Sequence, residues 1–309
     1  MSRNRRSRGR PVSGILLVDK PPEASSNAVL QRVKALYGAA KAGHTGSLDP
    51  LATGLLPVCL GEATKLSQYL LDANKRYRAR AKLGIRTTTG DSEGEPVSER
   101  PVSVTQASLD AALAQFRGEI EQCPSMYSAI KHKGKPLYSY ARQGIEVERP
   151  LRRISIFRLD LVAFSGDELV IEVDCSKGTY IRTLVEDIGE VLGCGAHVTA
   201  LRRLAVGPYT EDQSYTIAAL EQWRDDGGHS ALDQKLLAQD SAVSHWPGVT
   251  LGDAGSFYLT QGQAVQVAHA PASGFVRLYR ADQQKGSSFL GIGEIQQDGL
   301  VAPRRLISA

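Results

Sequence analysis

The run from Gly43 to Lys65, GHTGSLDPLATGLLPVCLGEATK, constrains this chain more than any other. Between Gly43 and Gly61 it holds a single acid, Asp49. Gly43, Gly46 and Gly54 surround that acid, and Pro50 follows it directly. Glycine admits positive φ and close backbone approach; proline fixes its own φ and biases the residue before it toward an extended shape. The pattern predicts a stiff, tight loop that presents one carboxylate. Leu48, Leu51, Leu55 and Leu56 predict that this loop packs on a core. By itself, an aspartate in a Gly/Pro loop is most often a turn former.

The chain has 309 residues, enough for two domains. No apolar run approaches the roughly 18 residues of a spanning helix, and the N-terminal arginines precede no apolar stretch. Neither a membrane segment nor a secretory signal is therefore expected. Cys59, Cys123, Cys175 and Cys194 are dispersed without a CxxC pair. They read as reduced thiols of a cytoplasmic protein, not as a disulfide frame or a zinc site. The net charge is +4, and Arg3, Arg5, Arg6, Arg8 and Arg10 account for it. Residues 1–12 read as a disordered basic arm, either a solubilising tail or an attractor for RNA. The near-neutral remainder would bind nucleic acid through local patches.

Ile15–Asp19 reads as a buried strand, and Ser25 or Ser26 caps a helix carrying Val29, Val33 and Leu36. A second apolar run follows the Asp49 loop, then a helix around Lys65–Leu71. From Arg76 to Leu83 the pattern alternates, Arg76, Arg78, Arg80 and Lys82 against Tyr77, Ala79, Ala81 and Leu83. A helix starts at Ser108; β-rich runs cover Ile154–Phe164 and Glu168–Cys175. Tyr180–Leu192 is an amphipathic helix with Ile181, Leu184, Val185, Ile188 and Val191 on one stripe. Arg224–Ser230, RDDGGHS, reads as a linker. Beyond Thr250, FYL, AVQV, FVRLYR, FLGIGEI and LVAPRRLI read as short strands of a small all-β domain, with a hairpin turn at Asp298-Gly299.

The Gly43–Lys65 run closely resembles the catalytic motif of the TruB family of tRNA pseudouridine synthases. LLVDKP (Leu16–Pro21), KRYRA (Lys75–Ala79), SMYSAIKHKGKPLYSYARQG (Ser125–Gly144), CSKGTYIRTL (Cys175–Leu184) and GCGAHVTALRRL (Gly193–Leu204) are similar to that family in the family's order, as are GIGEI and VAPRRL near the end. The resemblance covers roughly residues 13–309. Glu23 departs from it, because the family more often carries glycine there, and this puts the local turn in question.

The resemblance implies an α+β pseudouridine synthase fold: a mixed, largely antiparallel sheet flanked by helices, plus a small C-terminal PUA-like β-barrel. It implies a catalytic domain over residues 13–245, an RNA-binding insertion at about 124–150, and a PUA-like RNA-binding domain over 250–309. The implied activity is isomerisation of uridine to pseudouridine at position 55 in the T-loop of tRNA, on a flipped-out base. The resemblance assigns Asp49 as nucleophile, Tyr77 and Arg182 as further catalytic residues, and His44, Tyr180, Leu201 and Lys20 as substrate-binding residues. Arg182 would hold Asp49 in a bidentate pair and keep it ionised. Lys131, His132, Lys133 and Lys135, interleaved with Tyr127, Tyr138 and Tyr140, would grip RNA. No metal, cofactor, membrane or protein partner is implied, and the protein is expected to be a monomer.

Taken singly, each residue has a plainer reading: Tyr77 as core, Arg182 with Glu186 as a surface helix pair, His44 as a polar loop residue. A nucleotide-binding P-loop is excluded, since GxxxxGK[ST] is absent, and so is a GxSxG esterase elbow. The alternative from another class is a non-catalytic RNA-binding or tRNA-folding chaperone. It has no use for Asp49 with Tyr77 and Arg182.

Overall fold

The computed structural model describes residues 9–282 and 286–307. In chain order the elements begin with β1 (Gly14–Lys20), α1 (Ser26–Leu36), β2 (Ala42–His44), β3 (Thr53–Leu60), α2 (Ser67–Asp72) and β4 (Lys75–Leu83). The small strands β5 (Ile85–Thr87) and β6 (Pro96–Glu99) follow, then α3 (Gln106–Gln115) and β7 (Gly118–Gln122). Next come β8 (Lys131–His132), β9 (Lys135–Pro136), α4 (Leu137–Ala141), β10 (Arg152–Ser165) and β11 (Glu168–Cys175). The body is completed by α5 (Ile181–Val191), β12 (Ala196–Val206), β13 (Tyr209–Thr210), β14 (Tyr215–Thr216) and α6 (Ile217–Asp233). The C-terminal elements are β15 (Gly248–Leu251), α7 (Asp253–Thr260), β16 (Gly274–Asp282), β17 (Gly286–Ile295) and β18 (Val301–Leu306).

The fold is α+β. A mixed sheet runs in the order β14-β1-β3-β12-β4-β11-β10-β7, with β2 and β13 added at β3 and β12. Only β1/β14 and β12/β3 pair in parallel along it; every other pair is antiparallel. Strand β1 is apolar on both faces because both are covered. Ile15 and Leu17 face Leu66, Leu70 and Ile292, whereas Leu16 and Val18 face Val29, Val33, Leu220 and Leu232. Strand β4 alternates as its sequence requires. Ala79, Ala81 and Leu83 join the core under α3 and α5. Arg76, Arg78 and Lys82 pair across the outer face with Asp174, Glu172 and Asp167. Such solvated pairs contribute at most about 1 kcal/mol each.

The C-terminal sheet, β15-β16-β17-β18, is PUA-like and has its own core of Val249, Leu251, Val276, Leu278, Ile295 and Val301. It is not all-β. FYL lies in α7, where Leu259 is buried and Phe257 and Tyr258 are exposed, a helical spacing that a three-residue run cannot reveal. AVQV supplies one isolated bridge, Val265 to Val301. The sheet also docks on the body. Ile292 sits in one cluster with Ile15, Leu55 and Cys59, and Trp246 stacks on Phe275 with centroids 4.9 Å apart.

Four further expectations are corrected. Arg224–Ser230 lies within α6, not in a linker; Gly228 breaks the helix at φ 64 and ψ −154, but Leu220 and Leu232 on either side share one core. Helix α3 begins at Gln106, with Thr105 as cap and Ser108 closing the capping box. Val191 is exposed at the end of the α5 stripe. Residues 1–8 of the basic arm lie outside the described residues, but Arg10 is anchored: its guanidinium pairs with Asp233 at 2.5 Å and its backbone bridges Ala39. Among the described residues, no helix is long and apolar enough to cross a membrane.

Candidate active site

Asp49 lies on the loop that turns β2 into β3. Gly54, the second residue of β3, has φ 96 and lies directly against Arg203 of β12; a Cβ there would stand 2.4 Å from the Arg203 carbonyl oxygen. Gly46 has φ 118. Gly43 has no such need, since its nearest neighbour would be 3.9 Å from an added Cβ.

The peptides on both sides of Asp49 are tied down. The buried Ser26 hydroxyl accepts from the Leu48 N–H at 2.7 Å and lies 3.0 Å from the Leu48 carbonyl oxygen, to which it donates in turn. The Pro50 carbonyl accepts from Lys20 Nζ at 3.2 Å and from the Glu23 N–H at 2.9 Å. Glu23 makes that bond from φ 62, the left-handed region glycine favours. Arg203, 1% exposed, donates to the Leu55 and Gly46 carbonyls at 2.7 and 3.2 Å.

Arg182 enters from the first turn of α5 and is 5% exposed, which rules out a surface pair with Glu186. Its Nε meets Asp49 Oδ2 at 3.0 Å. The expected bidentate pair does not form. Nη1 instead reaches Asp91 Oδ2 at 3.2 Å and the Thr89 carbonyl at 2.7 Å, and Nη2 donates to the Tyr127 carbonyl at 2.8 Å. One guanidinium thus serves two carboxylates. Asp91 is 3% exposed and is held in turn by the Thr89 hydroxyl and the Glu93 N–H. Asp49 keeps 42% of its side-chain surface open.

That surface faces a cleft of about 490 Å³, lined also by His44, Asp91, Glu93, Tyr138, Arg142 and Arg182. Adjoining it is a recess of about 100 Å³ lined by Asp49, Tyr77, Tyr180, Arg182 and Leu201. Burial pushes the Asp49 carboxyl above the ordinary carboxylate range; Arg182 pulls it back and Asp91 pushes it further. Burial lowers the Lys20 ammonium to about 8, opposed by the charge of Asp49. Burial also raises the Tyr77 phenol, so it stays protonated, with Arg203 pulling the other way. His44 is lowered by burial and by Arg203, and its Nδ1 is buried without a hydrogen-bond partner among the described residues.

Asp49, Tyr77, Arg182, His44, Tyr180 and Leu201 therefore converge, and Lys20 supports the loop from beneath. Lys131, His132, Lys133 and Lys135 do not line the cleft. They form the β8–β9 hairpin, turned by Lys133 at φ 48 and Gly134 at φ 82, with the three lysines exposed. Tyr127, Ser128, Ala129, Tyr138 and Arg142 are the insertion residues that reach the cleft.

The family description "TruB family pseudouridylate synthase (N terminal domain)" matches residues 34–181. The tRNA pseudouridylate synthase B C-terminal domain matches 182–244, and the pseudouridine synthase II TruB C-terminal domain matches 247–307. A tRNA pseudouridine synthase B from Tolumonas auensis is 56% identical over 99% of this chain and 96% of its own length. One from Aeromonas salmonicida is 57% identical over 99% and 97%. This chain belongs to the TruB family of pseudouridylate synthases. Its fold also matches a chain of a Cbf5–Nop10–Gar1 complex, with TM-score 0.72 and 27% identity over 95% of this chain and 84% of that one.

Reading this TruB-family sequence alone missed Asp91, Arg203 and the role of Ser26 at the Asp49 loop. A signal existed for Arg203. Adjacent residues on a strand face opposite ways, so one of Arg202 and Arg203 had to point inward. Arg202 pairs with Asp19 and Glu211, and Arg203 is the buried one. Asp91, in a Thr/Gly/Ser-rich turn, carried no signal that separates it from a turn former.

Proposed function

We propose that this protein isomerises uridine to pseudouridine at position 55 in the T-loop of tRNA, using Asp49 as nucleophile on a flipped-out base. The observation that carries the reading is the Asp49–Arg182 contact at the mouth of the recess shared with Tyr77, Tyr180 and Leu201. The names of the relatives support tRNA as the substrate.

The reaction breaks the N1–C1′ bond and makes a C5–C1′ bond. A proton leaves C5 and one is taken up at N1, so atoms balance without an added reactant. Asp49 attacks ribose C1′ or uracil C6 as a carboxylate, and Arg182 favours that ionised form. Tyr77, kept protonated, stacks on the ring and offers a proton. Leu201 and Tyr180 enclose the base, and His44 meets the RNA that the base leaves. The exposed lysines of the β8–β9 hairpin hold phosphates, and the C-terminal sheet adds contacts outside the T-loop.

Tritium at uracil C5 is lost to water as C5 bonds to carbon. Incubation of the pure protein with a T-arm hairpin so labelled releases tritium and leaves pseudouridine at the T-loop position. Binding of the hairpin without release would assign the chaperone reading instead.

A further inference from the structure

Gln122 is the last residue of β7 and pairs with Arg152, the first residue of β10. The insertion leaves and re-enters the body between these two, so Gln122 stands at its root. Its side chain is buried, with the residue 2% exposed. The carboxamide oxygen accepts from the Tyr180 N–H at 2.8 Å, and Nε2 donates to the Tyr180 carbonyl at 3.0 Å. A carboxamide is neutral and carries a donor and an acceptor on separate atoms at one end. Here it saturates one residue's backbone. No side chain caps α5 itself, so this contact fixes where the helix begins.

Two residues on, Arg182 donates to the carbonyl of Tyr127, five residues after Gln122 and within the insertion. The links close a ring: Gln122 to Tyr180 by two hydrogen bonds, Tyr180 to Arg182 along the chain, Arg182 to Tyr127 by a third, and Tyr127 back to Gln122 along the chain. We infer that Gln122 is a positioning residue that ties the root of the insertion to the Tyr180–Arg182 segment, so that RNA docking on the insertion sets the arginine that meets Asp49. Gln122 touches no reacting atom. It acts by holding the Tyr180 backbone, hence the Tyr180 ring and the Arg182 guanidinium, in register with the insertion.

The inference rests on the proposed isomerisation, and the test separates the two. Full-length protein is assayed by single-turnover tritium release from the C5-labelled T-arm hairpin, alongside hairpin affinity and Tm. Absence of release by the unmodified protein would fail the isomerisation itself. With that control active, Gln122→Met lowers the single-turnover rate by about 10- to 100-fold, the scale of a displacement of roughly 1 Å near reacting groups, and leaves affinity within about twofold. Gln122→Glu adds a signature that a packing role lacks. Its protonated carboxyl donates and accepts as the amide does, while its carboxylate only accepts and repels the Tyr180 carbonyl. The rate of Gln122→Glu relative to the unmodified protein rises as pH falls, and protonation of Asp49 cancels in that ratio. The same ratio for Gln122→Met is flat. A folded Gln122→Met protein with an unaltered rate overturns the inference, and equal losses of rate and affinity make Gln122 an RNA contact. If Gln122→Met does not fold, the pH ratio of Gln122→Glu decides: a rise supports the tie and a flat line refutes it.

Discussion

Removing Arg182 tests a buried electrostatic arrangement in which one guanidinium meets two carboxylates. Arg182→Met keeps a flexible apolar stem and deletes the guanidinium. Four contacts made by three nitrogens vanish, two to the Thr89 and Tyr127 carbonyls and two to the carboxylates. The two acids respond differently. Asp49 is 42% exposed and can be rehydrated from the cleft, so its loss contributes little to stability. Asp91 is 3% exposed and cannot. Leaving one member of a buried pair uncompensated costs about 3–5 kcal/mol, and most of that loss falls on Asp91. If so, Asp91→Asn placed on top of Arg182→Met recovers about half of it or more, because the stranded charge is gone while the Thr89 and Glu93 contacts remain. Urea unfolding of the two single variants and the double variant measures the coupling. Activity separates from stability: both Arg182→Met proteins stay slow, because Asp49 has lost the charge that favours its ionised form. A loss below about 1 kcal/mol for Arg182→Met, or no rescue by Asp91→Asn, would refute the view that one buried guanidinium serves both acids.

Asp49→Asn abolishes tritium release and retains hairpin binding, while Tm at pH 7 holds or rises. The sign follows from its raised carboxyl: folding disfavours the ionised form above the ordinary carboxylate range, and asparagine has none. For the same reason, the acid limb of turnover lies above the ordinary carboxylate value. Lys20, held at about 8 against 10.5 unfolded, weakens the fold most below pH 8, so stability relative to Lys20→Met climbs by about 3 kcal/mol between pH 8 and 10.5; a flat difference in urea unfolding would remove the desolvated lysine from the account. Glu23→Gly relieves a left-handed glutamate and raises stability by about 0.5–1 kcal/mol; an unchanged or lower Tm would show that the backbone carries no strain there. Ile292→Ala, at the seam between the C-terminal sheet and the body, destabilises the whole chain in one transition by about 2–5 kcal/mol; a separate early melt of the C-terminal unit would mean that the seam does not couple them.

That seam shows where reading along the chain stops. From local pattern alone, the C-terminal strands look separable, because nothing in FLGIGEI says that Ile292 will sit against Ile15 and Leu55. Arg224–Ser230 teaches the same lesson. Its glycines do break the backbone at Gly228, but whether a break separates domains depends on Leu220 and Leu232 meeting the same core.

What the sequence by itself determined was local: the alternation of β4, the two-sided burial of β1, the stripe of α5, and a stiff loop carrying one acid. These follow from backbone periodicity and from the special conformations of glycine and proline, which neighbouring residues suffice to set. The meeting of Asp49 with Arg182, expected from family resemblance, is realised through one nitrogen and not two. Only the tertiary structure decided this, because the other nitrogens are claimed by Asp91, Thr89 and Tyr127. It alone also chose Ser26, Gln122 and Arg203 as the groups that hold the site. Each satisfies the backbone of a residue at least 22 positions away or on another strand. Such a partnership leaves no periodic trace in a chain; it exists because a buried N–H or C=O must find a partner wherever the fold puts one.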